Sequence, residues 1–301
     1  MSPLKIKKFA AIDIGSNGVR LLVSNVVLKK GKEPVFRKSA LVRVPIRLGA
    51  DAFNQGVISE RNADRMCKAM RAFDLLMQVH GVEKYRACAT SAMREAKNGA
   101  SIVSRIQKNT GIDIDIIDGK TEAAIIAATD LFEVIEKRKD YLYVDVGGGS
   151  TEFTFFSKGK LIKSRSFKMG TVRSLQHKEA VKKVRQEAKA WVKKEMEPYK
   201  NIIIIGSGGN INKVYKLSGV SLGKPLTQCY IKQEYKALKK MTYDERVREM
   251  GLNPDRADVI IPALKIYLSA MKWSKAREMI VPKIGLADGM IKLLYAQQQK
   301  K

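Results

Sequence analysis

Two segments of this chain repeat one short pattern, in which an apolar strand, an aspartate, a glycine-containing turn and a second apolar strand follow one another. The first, near the N-terminus, is FAAIDIGSNGVRLLV, and the second, near the middle, is YLYVDVGGGSTEFTFF. Asp13 aligns with Asp145, and Gly15 with Gly147, at the same separation along the chain. Similarity at a domain-sized spacing indicates an internal duplication. The chain is therefore predicted to contain two related halves.

The glycines of both turns suit an anion better than they suit a sheet. Glycine weakens a strand, but it lets backbone N–H groups approach a ligand closely. Successive N–H groups beside hydroxyl groups form a concavity for an anion such as phosphate. The carboxylates of Asp145 and Glu152 would repel a bare phosphate, so they suggest a bridging divalent cation. Two such turns would face each other across a cleft; the alternative is an ordinary glycine-rich hairpin.

Length and charge limit the possible functions. A chain of 301 residues accommodates two domains, which we place at 1–128 and 129–301. Its 57 Lys and Arg outnumber 30 Asp and Glu, for a net charge of +27. Such an excess predicts an anionic partner, namely nucleic acid, an acidic membrane surface or a phosphate polymer, or else a basic protein without such a partner.

Several classes of site and location are disfavoured by composition. The three cysteines, Cys67, Cys88 and Cys229, are far apart, so neither a disulfide framework nor a cysteine zinc site is indicated. With two histidines, a histidine metal site and a Ser-His-Asp triad are nearly excluded. Because neither a signal peptide nor an apolar run of about 18 residues is present, we expect a soluble, cytoplasmic protein that does not bind membranes.

The order of predicted elements gives the fold class. Each half reads as three strands followed by helix, strand, helix, strand and helix, which is α/β with mixed sheets. This is the order of the ribonuclease-H-like fold. Two such domains form the actin-like ATPase architecture, with a nucleotide or phosphate site in the cleft between them. In the first half, a helix is predicted at 121–137, and in the second a long basic helix at 174–197.

Six motifs then occur in the order found in a known family: AIDIGSNGVRLLV, ATSAMREA, DGKTEAA, DVGGGSTEF, IGSGGN and DRADVIIP. On these motifs the chain resembles the exopolyphosphatase/guanosine-pentaphosphate phosphohydrolase (Ppx/GppA) phosphatase family, over nearly its whole length. It looks like the short form of that family, which has two domains. The resemblance implies hydrolysis of terminal phosphoanhydride bonds with Mg²⁺, or Mn²⁺ in its place.

The resemblance also implies roles for individual residues. Glu122 resembles the family's catalytic glutamate, and Arg94 its phosphate-binding arginine. Asp145 and Glu152 resemble the carboxylates that hold the metal, and we assign Asp13 to the metal with them. The phosphate-binding residues are expected in the three glycine-containing loops: Gly15, Ser16, Asn17, Arg20, Gly147, Gly148, Gly149, Ser150 and Gly208.

Each assignment has a structural alternative, and the motifs depart from the family at two places. An acid such as Glu122 favours a helix N-terminus through the helix dipole. Arg94 would otherwise be a surface arginine and Glu152 a solvated strand residue. Gly18 stands where many members carry a hydroxyl residue, which removes one donor to phosphate. The GSGGN loop is similar to the family's Gly-Thr-Gly-Gly without being identical.

The leading hypothesis is an exopolyphosphatase that releases orthophosphate from the ends of inorganic polyphosphate. The alternatives are guanosine pentaphosphate hydrolysis, a kinase of the same superfamily, and a non-catalytic polyphosphate-binding protein. Nucleic acid is not the expected partner, and a homodimer is expected. P-loop and Rossmann sites are excluded because neither of their glycine motifs occurs.

The basic helix predicted at 174–197 has two interpretations. Between 157 and 200 the chain has fourteen Lys or Arg against four Glu. A phosphate polymer could lie along such a face, and its binding would then weaken with salt. Reversing the charge of Lys182, Lys183 and Arg185 should therefore weaken long substrates selectively. The alternative is a solvated basic face.

Overall fold

The computed structural model describes residues 4–129, 136 and 138–299. The chain divides into two compact units. Unit 1 comprises Met1–Thr129 together with Leu286–Lys301, and unit 2 comprises Asp130–Gly285.

Unit 1 contains a five-stranded mixed sheet in the order β3-β2-β1-β4-β5. The first three strands are antiparallel neighbours, and β4 and β5 extend the sheet in parallel with β1. The strands are β1 (Lys5–Ile14), β2 (Val19–Leu28), β3 (Val35–Val44), β4 (Lys84–Ala89) and β5 (Asp115–Ile116).

The longest helix of unit 1 begins and ends at recognisable signals. Ser59 caps the longest helix by accepting a hydrogen bond from the Asn62 N–H, and Gly81 ends it in the left-handed conformation that glycine adopts freely. The helices are α1 (Leu48–Gln55), α2 (Glu60–His80), α3 (Ser91–Glu95), α4 (Gly99–Thr110) and α5 (Gly119–Ala127), with α13 (Leu286–Gln299) contributed by the C-terminal segment.

Unit 2 repeats this topology. Its six-stranded sheet has the order β10-β11-β9-β6-β7-β8, in which β6, β7 and β8 are antiparallel and β9 and β11 run parallel to β6. A short antiparallel strand, β10, is added at the edge. The strands are β6 (Asp140–Val146), β7 (Thr151–Ser157), β8 (Lys160–Phe167), β9 (Ile203–Ser207), β10 (Leu226–Thr227) and β11 (Glu278–Ile280).

One predicted helix of unit 2 is divided in the structure. The predicted basic helix at 174–197 is interrupted at His177, whose φ of −128° and ψ of 62° lie outside the helical region. The helices are α6 (Thr171–Gln176), α7 (Lys178–Met196), α8 (Gly209–Leu217), α9 (Gln228–Lys240), α10 (Tyr243–Arg248), α11 (Pro254–Ala257) and α12 (Ile260–Ser274).

The predicted fold class is confirmed. In both units the first strand of the antiparallel meander lies at the centre and pairs in parallel with the strand that follows the first helices. The chain therefore consists of two α/β units of ribonuclease-H-like topology, the domain type of the actin-like superfamily.

Two details differ from the sequence expectations. The last helix, α13, was placed with the second domain, but it packs on β1 and α5 of unit 1, where its residues Leu286, Met290, Ile291 and Leu294 are buried. The helix predicted at 121–137 begins at Gly119 and runs to Ala127, while 130–135 and 137 lie outside the described residues. Among the described residues, no helix combines the length and the apolar character that a bilayer span requires.

Candidate active site

The glycine-rich turn of unit 2 is held rigidly by the start of α6. The Gly147 N–H donates to the Ser150 carbonyl (3.0 Å) and closes the turn. The carbonyl groups of the turn accept hydrogen bonds from α6: the Thr171 N–H donates to Gly147 (3.0 Å), the Val172 N–H to Gly148 (2.9 Å) and Arg173 Nε to Gly149 (2.8 Å).

These bonds orient the N–H groups of the same turn. In a planar trans peptide the C=O group and the following N–H group point in opposite directions, and the described residues contain no cis peptide bond. Because the carbonyl groups of Gly147, Gly148 and Gly149 point towards α6, the N–H groups of Gly148, Gly149 and Ser150 point away from it. Three successive N–H groups in one turn form an anion-binding concavity. We call the turn 147–150 the second cradle.

The turn of unit 1 repeats this construction. The Gly15 N–H donates to the Gly18 carbonyl (3.2 Å), and the carbonyl groups of the turn accept hydrogen bonds from the start of α1. The Gly49 N–H donates to Ser16 (2.8 Å) and the Arg47 N–H to Asn17 (3.3 Å). By the same argument, the N–H groups of Asn17 and Gly18 point away from α1. We call the turn 15–18 the first cradle.

The hydroxyl groups predicted to bind phosphate are already engaged within the protein. Ser16 Oγ lies 2.9 Å from Ser91 Oγ, which ties the first cradle to α3. Ser150 Oγ donates to Glu152 Oε1 (2.6 Å). Both serines are buried. The cradles therefore offer an anion their backbone N–H groups, while these hydroxyls fix the turns.

A polar row crosses the sheet of unit 2 beside the second cradle. Asp145 is the register partner of Glu152 on β7 and of Ser207 on β9, and Glu152 is the partner of Ser166 on β8. Register partners project from the same face of a sheet. Ser207 Oγ donates to Asp145 (3.3 Å), and Ser166 Oγ donates to Glu152 (2.9 Å).

This row provides oxygen ligands for a hard cation. Like charges directly opposite one another destabilise a sheet, so the Asp145–Glu152 pair fits a site that holds a cation between them. Among the described residues, no group of three or more His, Cys, Asp or Glu is placed to hold a metal ion. Mg²⁺ commonly uses one or two carboxylates and completes its shell with water and substrate phosphates. Two carboxylates therefore fit such a metal.

Gly208 and Tyr267 pack against the same aspartate. Gly208 has a φ of +122°, and a Cβ there would lie 3.2 Å from the Val146 carbonyl oxygen and 3.2 Å from the Tyr267 hydroxyl. The Tyr267 hydroxyl donates to the Ser207 carbonyl. Burial raises the pKa of Tyr267 well above its ordinary value, and the charge of Asp145 raises it further, so the hydroxyl stays protonated. Gly208 thus serves close approach of the backbone to Asp145.

The equivalent row in unit 1 is basic where that of unit 2 is acidic. Asp13 is the register partner of Arg20, and Arg20 of Arg43. Arg20 Nη1 lies 3.4 Å from Asp13 Oδ2. Burial raises the pKa of Asp13, and the charge of Arg20 opposes this shift. A Cβ at Gly18 would lie 2.9 Å from Arg43 Nη2. The guanidinium of Arg43 therefore occupies the space that a side chain at position 18 would fill.

Arg94 and Glu122 lie on either side of one turn in unit 1. Arg94 Nη1 donates to the Ile117 carbonyl, immediately before the N-cap of α5. Asp118 caps α5 by accepting a hydrogen bond from the Thr121 N–H (2.7 Å). Hydrogen bonds from the side chain and the backbone of Thr121 lower the pKa of Asp118, and the charge of Arg94 lowers it by a smaller amount. Glu122 follows in the first turn of α5 and is 8% exposed.

The carboxyl ends of the parallel strands collect the unit 1 residues. The first cradle follows β1, α3 with Arg94 follows β4, and α5 with Glu122 follows β5. Ligands of α/β sheets bind outside the carboxyl ends of the strands. Cys88, the register partner of Asp13, does not supply a nucleophile there, because burial raises the pKa of its thiol to about 11.

The structure thus groups the predicted residues unit by unit. Unit 1 holds Asp13, Arg20, Arg94 and Glu122 with the first cradle, and unit 2 holds Asp145, Glu152 and Gly208 with the second. That both cradles face one cleft stays a prediction. Sequence analysis missed the residues that position the cradles and the polar rows beside them: Arg43, Gly49, Ser91, Ser166, Gly170 and Tyr267. Of these, Gly170 directly precedes a helix, which is a recognisable sequence signal.

The sequence of this chain is similar to those of a known protein family. A family model described as "Ppx/GppA phosphatase family" matches residues 27–296. A bifunctional 3-dehydroquinate synthase/phosphatase of Fusobacterium nucleatum is 30% identical over 277 residues; these cover 84% of this chain and 41% of that protein. The chain thus spans less than half of that relative.

Two exopolyphosphatases match at nearly full length. Exopolyphosphatase 1 of Mycobacterium tuberculosis is 24% identical, with 94% of this chain and 87% of the relative covered. The crystal structure of an exopolyphosphatase from Cytophaga hutchinsonii superposes with a TM-score of 0.84 at 23% identity, covering 98% of each chain. At that identity the superposition supports the fold.

Proposed function

Because the chain belongs to the Ppx/GppA phosphatase family, we propose that it is an exopolyphosphatase, which hydrolyses the terminal phosphoanhydride bond of inorganic polyphosphate and releases orthophosphate. The observation that carries the proposal is the geometry of the second cradle. The carbonyl groups of the turn accept hydrogen bonds from α6, and three N–H groups of the turn therefore point away from that helix. A phosphate terminus presents several acceptor oxygens to such donors. Relatives of this size that match over most of the chain are named exopolyphosphatases.

The reaction requires three contributions from the chain. The cradles bind non-bridging oxygens of the substrate, and donors held in place before the reaction stabilise charge without reorganisation. Arg94 adds a positive charge at the carboxyl end of β4. Glu122 accepts a proton from water as the water oxygen attacks the terminal phosphorus, and the bond from that phosphorus to the bridging oxygen breaks. The shortened chain and orthophosphate are the products.

Arg43 is proposed as a further phosphate-binding residue of the first cradle. Its guanidinium lies at the position that a side chain on residue 18 would occupy. Many members of the family carry a hydroxyl donor at that position, and an arginine donates to phosphate in a fixed, planar geometry. Arg43 would thus replace the donor that Gly18 lacks.

Mg²⁺ is proposed as the cofactor, with Mn²⁺ as the alternative. Asp145 and Glu152 would hold it, since their carboxylates are cross-strand neighbours on one face. The ion would neutralise phosphate charge at the second cradle. Asp13 is a weaker candidate ligand than these two, because its carboxylate already pairs with Arg20.

The second candidate activity is hydrolysis of guanosine pentaphosphate, which needs the same cradles. A phosphate-release panel separates the possibilities. Long-chain polyphosphate, tripolyphosphate, guanosine pentaphosphate and ATP are each supplied with Mg²⁺ or with EDTA. We expect the highest kcat/KM for long-chain polyphosphate, and loss of activity in EDTA. A higher kcat/KM for guanosine pentaphosphate would make that nucleotide the preferred substrate and contradict the exopolyphosphatase proposal. If phosphate left the substrate only in the presence of a phosphate acceptor, the protein would be a kinase.

A further inference from the structure

Unit 2 contains a second anion-attracting feature, which lies away from its cradle. It is an open basin of about 1850 Å³ between α7 and α12. Twelve of its lining residues are Lys or Arg, and three are Asp or Glu: Asp140, Glu197 and Glu278. A concave surface of one sign focuses its field and concentrates ions of the opposite charge. We call this surface the basic basin.

The basin is formed by one face of each helix. Lys182, Arg185, Lys189 and Lys193 recur at three- and four-residue spacing and line it from α7. On α12 the same spacing brings Lys265, Ser269 and Lys272 to it. Lys183, which the sequence analysis grouped with Lys182 and Arg185, is exposed but does not line the basin. Four basic residues of α7 are therefore concentrated on the face of the helix that lines the basin.

The basin and the second cradle lie at opposite ends of the same strands. Asp140, Ile203 and Glu278 line the basin, and each is the first residue of a strand, β6, β9 or β11. The cradle follows the last residue of β6, Val146. A strand of seven residues is about 20 Å long. The basin is thus a separate site, beyond the reach of a short phosphate chain bound at the cradle.

Two cations that line the basin, Arg185 and Lys265, lie close enough to repel each other. Arg185 is half-buried, donates to Ser269 Oγ and lies 6.0 Å from the ring centre of Trp273. Burial lowers the pKa of Lys265, and the charges of Arg185 and Lys239 lower it further. Holding like charges together in this way is unfavourable, and a bound polyanion would offset it.

The aromatic residues of the basin distinguish between two kinds of polyanion. Non-specific binding of single-stranded nucleic acid uses aromatic rings on which bases stack. Here Trp273 is buried with Arg185 over its ring, the Tyr199 ring packs on Phe155, and Tyr235 is partly buried against the core. None of the three rings is presented as an open stacking platform. Lysine ammonium groups, by contrast, act as point charges that suit a chain of phosphates.

We propose that the basic basin is a second binding site for long-chain inorganic polyphosphate, separate from the cradle at which the chain is hydrolysed. This inference rests on the proposed substrate class. A chain held at the basin raises the effective concentration of its ends near the same molecule. The basin therefore lowers KM for long chains and does not contribute to hydrolysis of tripolyphosphate.

The test compares two triple variants with equal loss of charge. The basin variant is Lys189→Gln/Lys193→Gln/Lys272→Gln, and the control is Lys178→Gln/Lys183→Gln/Lys236→Gln, at exposed positions outside the basin. Binding of end-labelled long-chain polyphosphate is measured in EDTA over a range of salt concentrations. The basin variant should bind about tenfold more weakly and lose about 2 to 3 from the slope of log affinity against log salt. The control should stay near the wild type.

The outcomes separate this inference from the proposed function. Equal affinities of the two triple variants would overturn the basin even if the enzyme hydrolyses polyphosphate. Basin-dependent binding by a protein that releases no orthophosphate would leave the basin standing and refute the exopolyphosphatase. A parallel titration with a single-stranded oligonucleotide completes the test. If the basin variant loses oligonucleotide binding and keeps polyphosphate binding, the basin is a nucleic-acid site.

Discussion

Single residues at the start of α5 position the proposed general base, Glu122. The Asp118 cap fixes the first turn, Arg94 donates to the carbonyl group before it, and Glu122 is thereby held in a buried position. A buried carboxylate that merely stabilised a helix N-terminus could be replaced by its amide at little cost. A general base could not, because the amide does not accept a proton.

Glu122→Gln should therefore lower kcat by about 10²- to 10⁴-fold and leave KM for polyphosphate close to that of the wild type. The measurement is steady-state orthophosphate release. Glu179→Gln is the matched control, since Glu179 also lies in the first turn of a helix but is exposed. A Glu122→Gln enzyme with more than half of the wild-type rate would show that Glu122 is structural.

Arg43 offers a second prediction at this scale. If its guanidinium supplies the donor that Gly18 lacks, Arg43→Gln should raise KM about tenfold or more, as expected for loss of one charged hydrogen bond. Arg37→Gln is the control, because Arg37 lies on the same strand, β3, but near its opposite end. An unchanged KM for Arg43→Gln in the phosphate-release assay would remove Arg43 from the site.

Asp51 allows a prediction about pH and stability. Its carboxylate accepts hydrogen bonds from Ser59 N–H (3.0 Å), Ser59 Oγ (2.6 Å) and Asn62 Nδ2 (2.8 Å), joining α1 to the N-cap of α2. Burial acts to raise the pKa of Asp51, but these bonds and the charge of Arg65 together lower it. A lowered folded pKa means that the ionised group stabilises the fold above the unfolded value of about 3.9.

Asp51→Asn should accordingly reduce the free energy of unfolding by about 1 kcal/mol at pH 7. The difference from the wild type should shrink as the pH falls through the folded pKa, below about 4. Urea denaturation across this pH range measures it. A difference independent of pH would mean that the charge of Asp51 contributes nothing.

At the scale of elements, the cradles depend on glycines that allow a helix to approach a turn. A Cβ on Gly170 would lie 2.3 Å from the carbonyl oxygen of Gly148, closer than any real contact. Gly170→Ala should therefore displace the start of α6 from the second cradle. Overpacking of this kind costs about 1–3 kcal/mol, and we expect kcat/KM to fall at least tenfold because the N–H groups lose their orientation.

Gly285→Ala is the control for this change, since nothing lies within 4 Å of a Cβ at that position. Thermal unfolding and phosphate release are measured for both variants. If Gly170→Ala retains full activity while Gly285→Ala behaves as the wild type, α6 does not orient the cradle.

Elements were predictable from the sequence where local signals agree. The duplicated hairpins and the order of strands in unit 1 follow from short-range patterns, and they are found as expected. The two-residue edge strand β10 of unit 2 was not expected. The break at His177 was missed because the basic periodicity continues across it. Cross-sheet partners such as Arg43 and Ser166 were missed because strand register is a tertiary property.

At the scale of the whole molecule, the chain returns to unit 1 with its last helix. Sequence order assigned α13 to the second domain, and no local signal contradicts that, since an amphipathic helix can cover either sheet. Its docking requires Gly289, where a Cβ would lie 2.1 Å from the Ile125 carbonyl oxygen on α5. The expected homodimer stays a prediction, which light scattering can check.

Gly289→Val should separate α13 from α5 and destabilise unit 1 by about 1–3 kcal/mol. Hydrogen exchange should show reduced protection in β1 and β4, against which α13 packs, while β7 and β9 of unit 2 keep theirs. Equal loss of protection in both sheets would contradict the division of the chain at residue 286.

The most direct test of the exopolyphosphatase is the course of products from one long-chain polyphosphate. Limited digestion with Mg²⁺ is followed by electrophoresis of the chains and by a parallel assay of orthophosphate. Removal of terminal phosphates at the cradles predicts orthophosphate from the first time point and a progressively shortened population, both abolished by Glu122→Gln. Fragments of intermediate length without matching orthophosphate, or no orthophosphate at all, would contradict the proposed function.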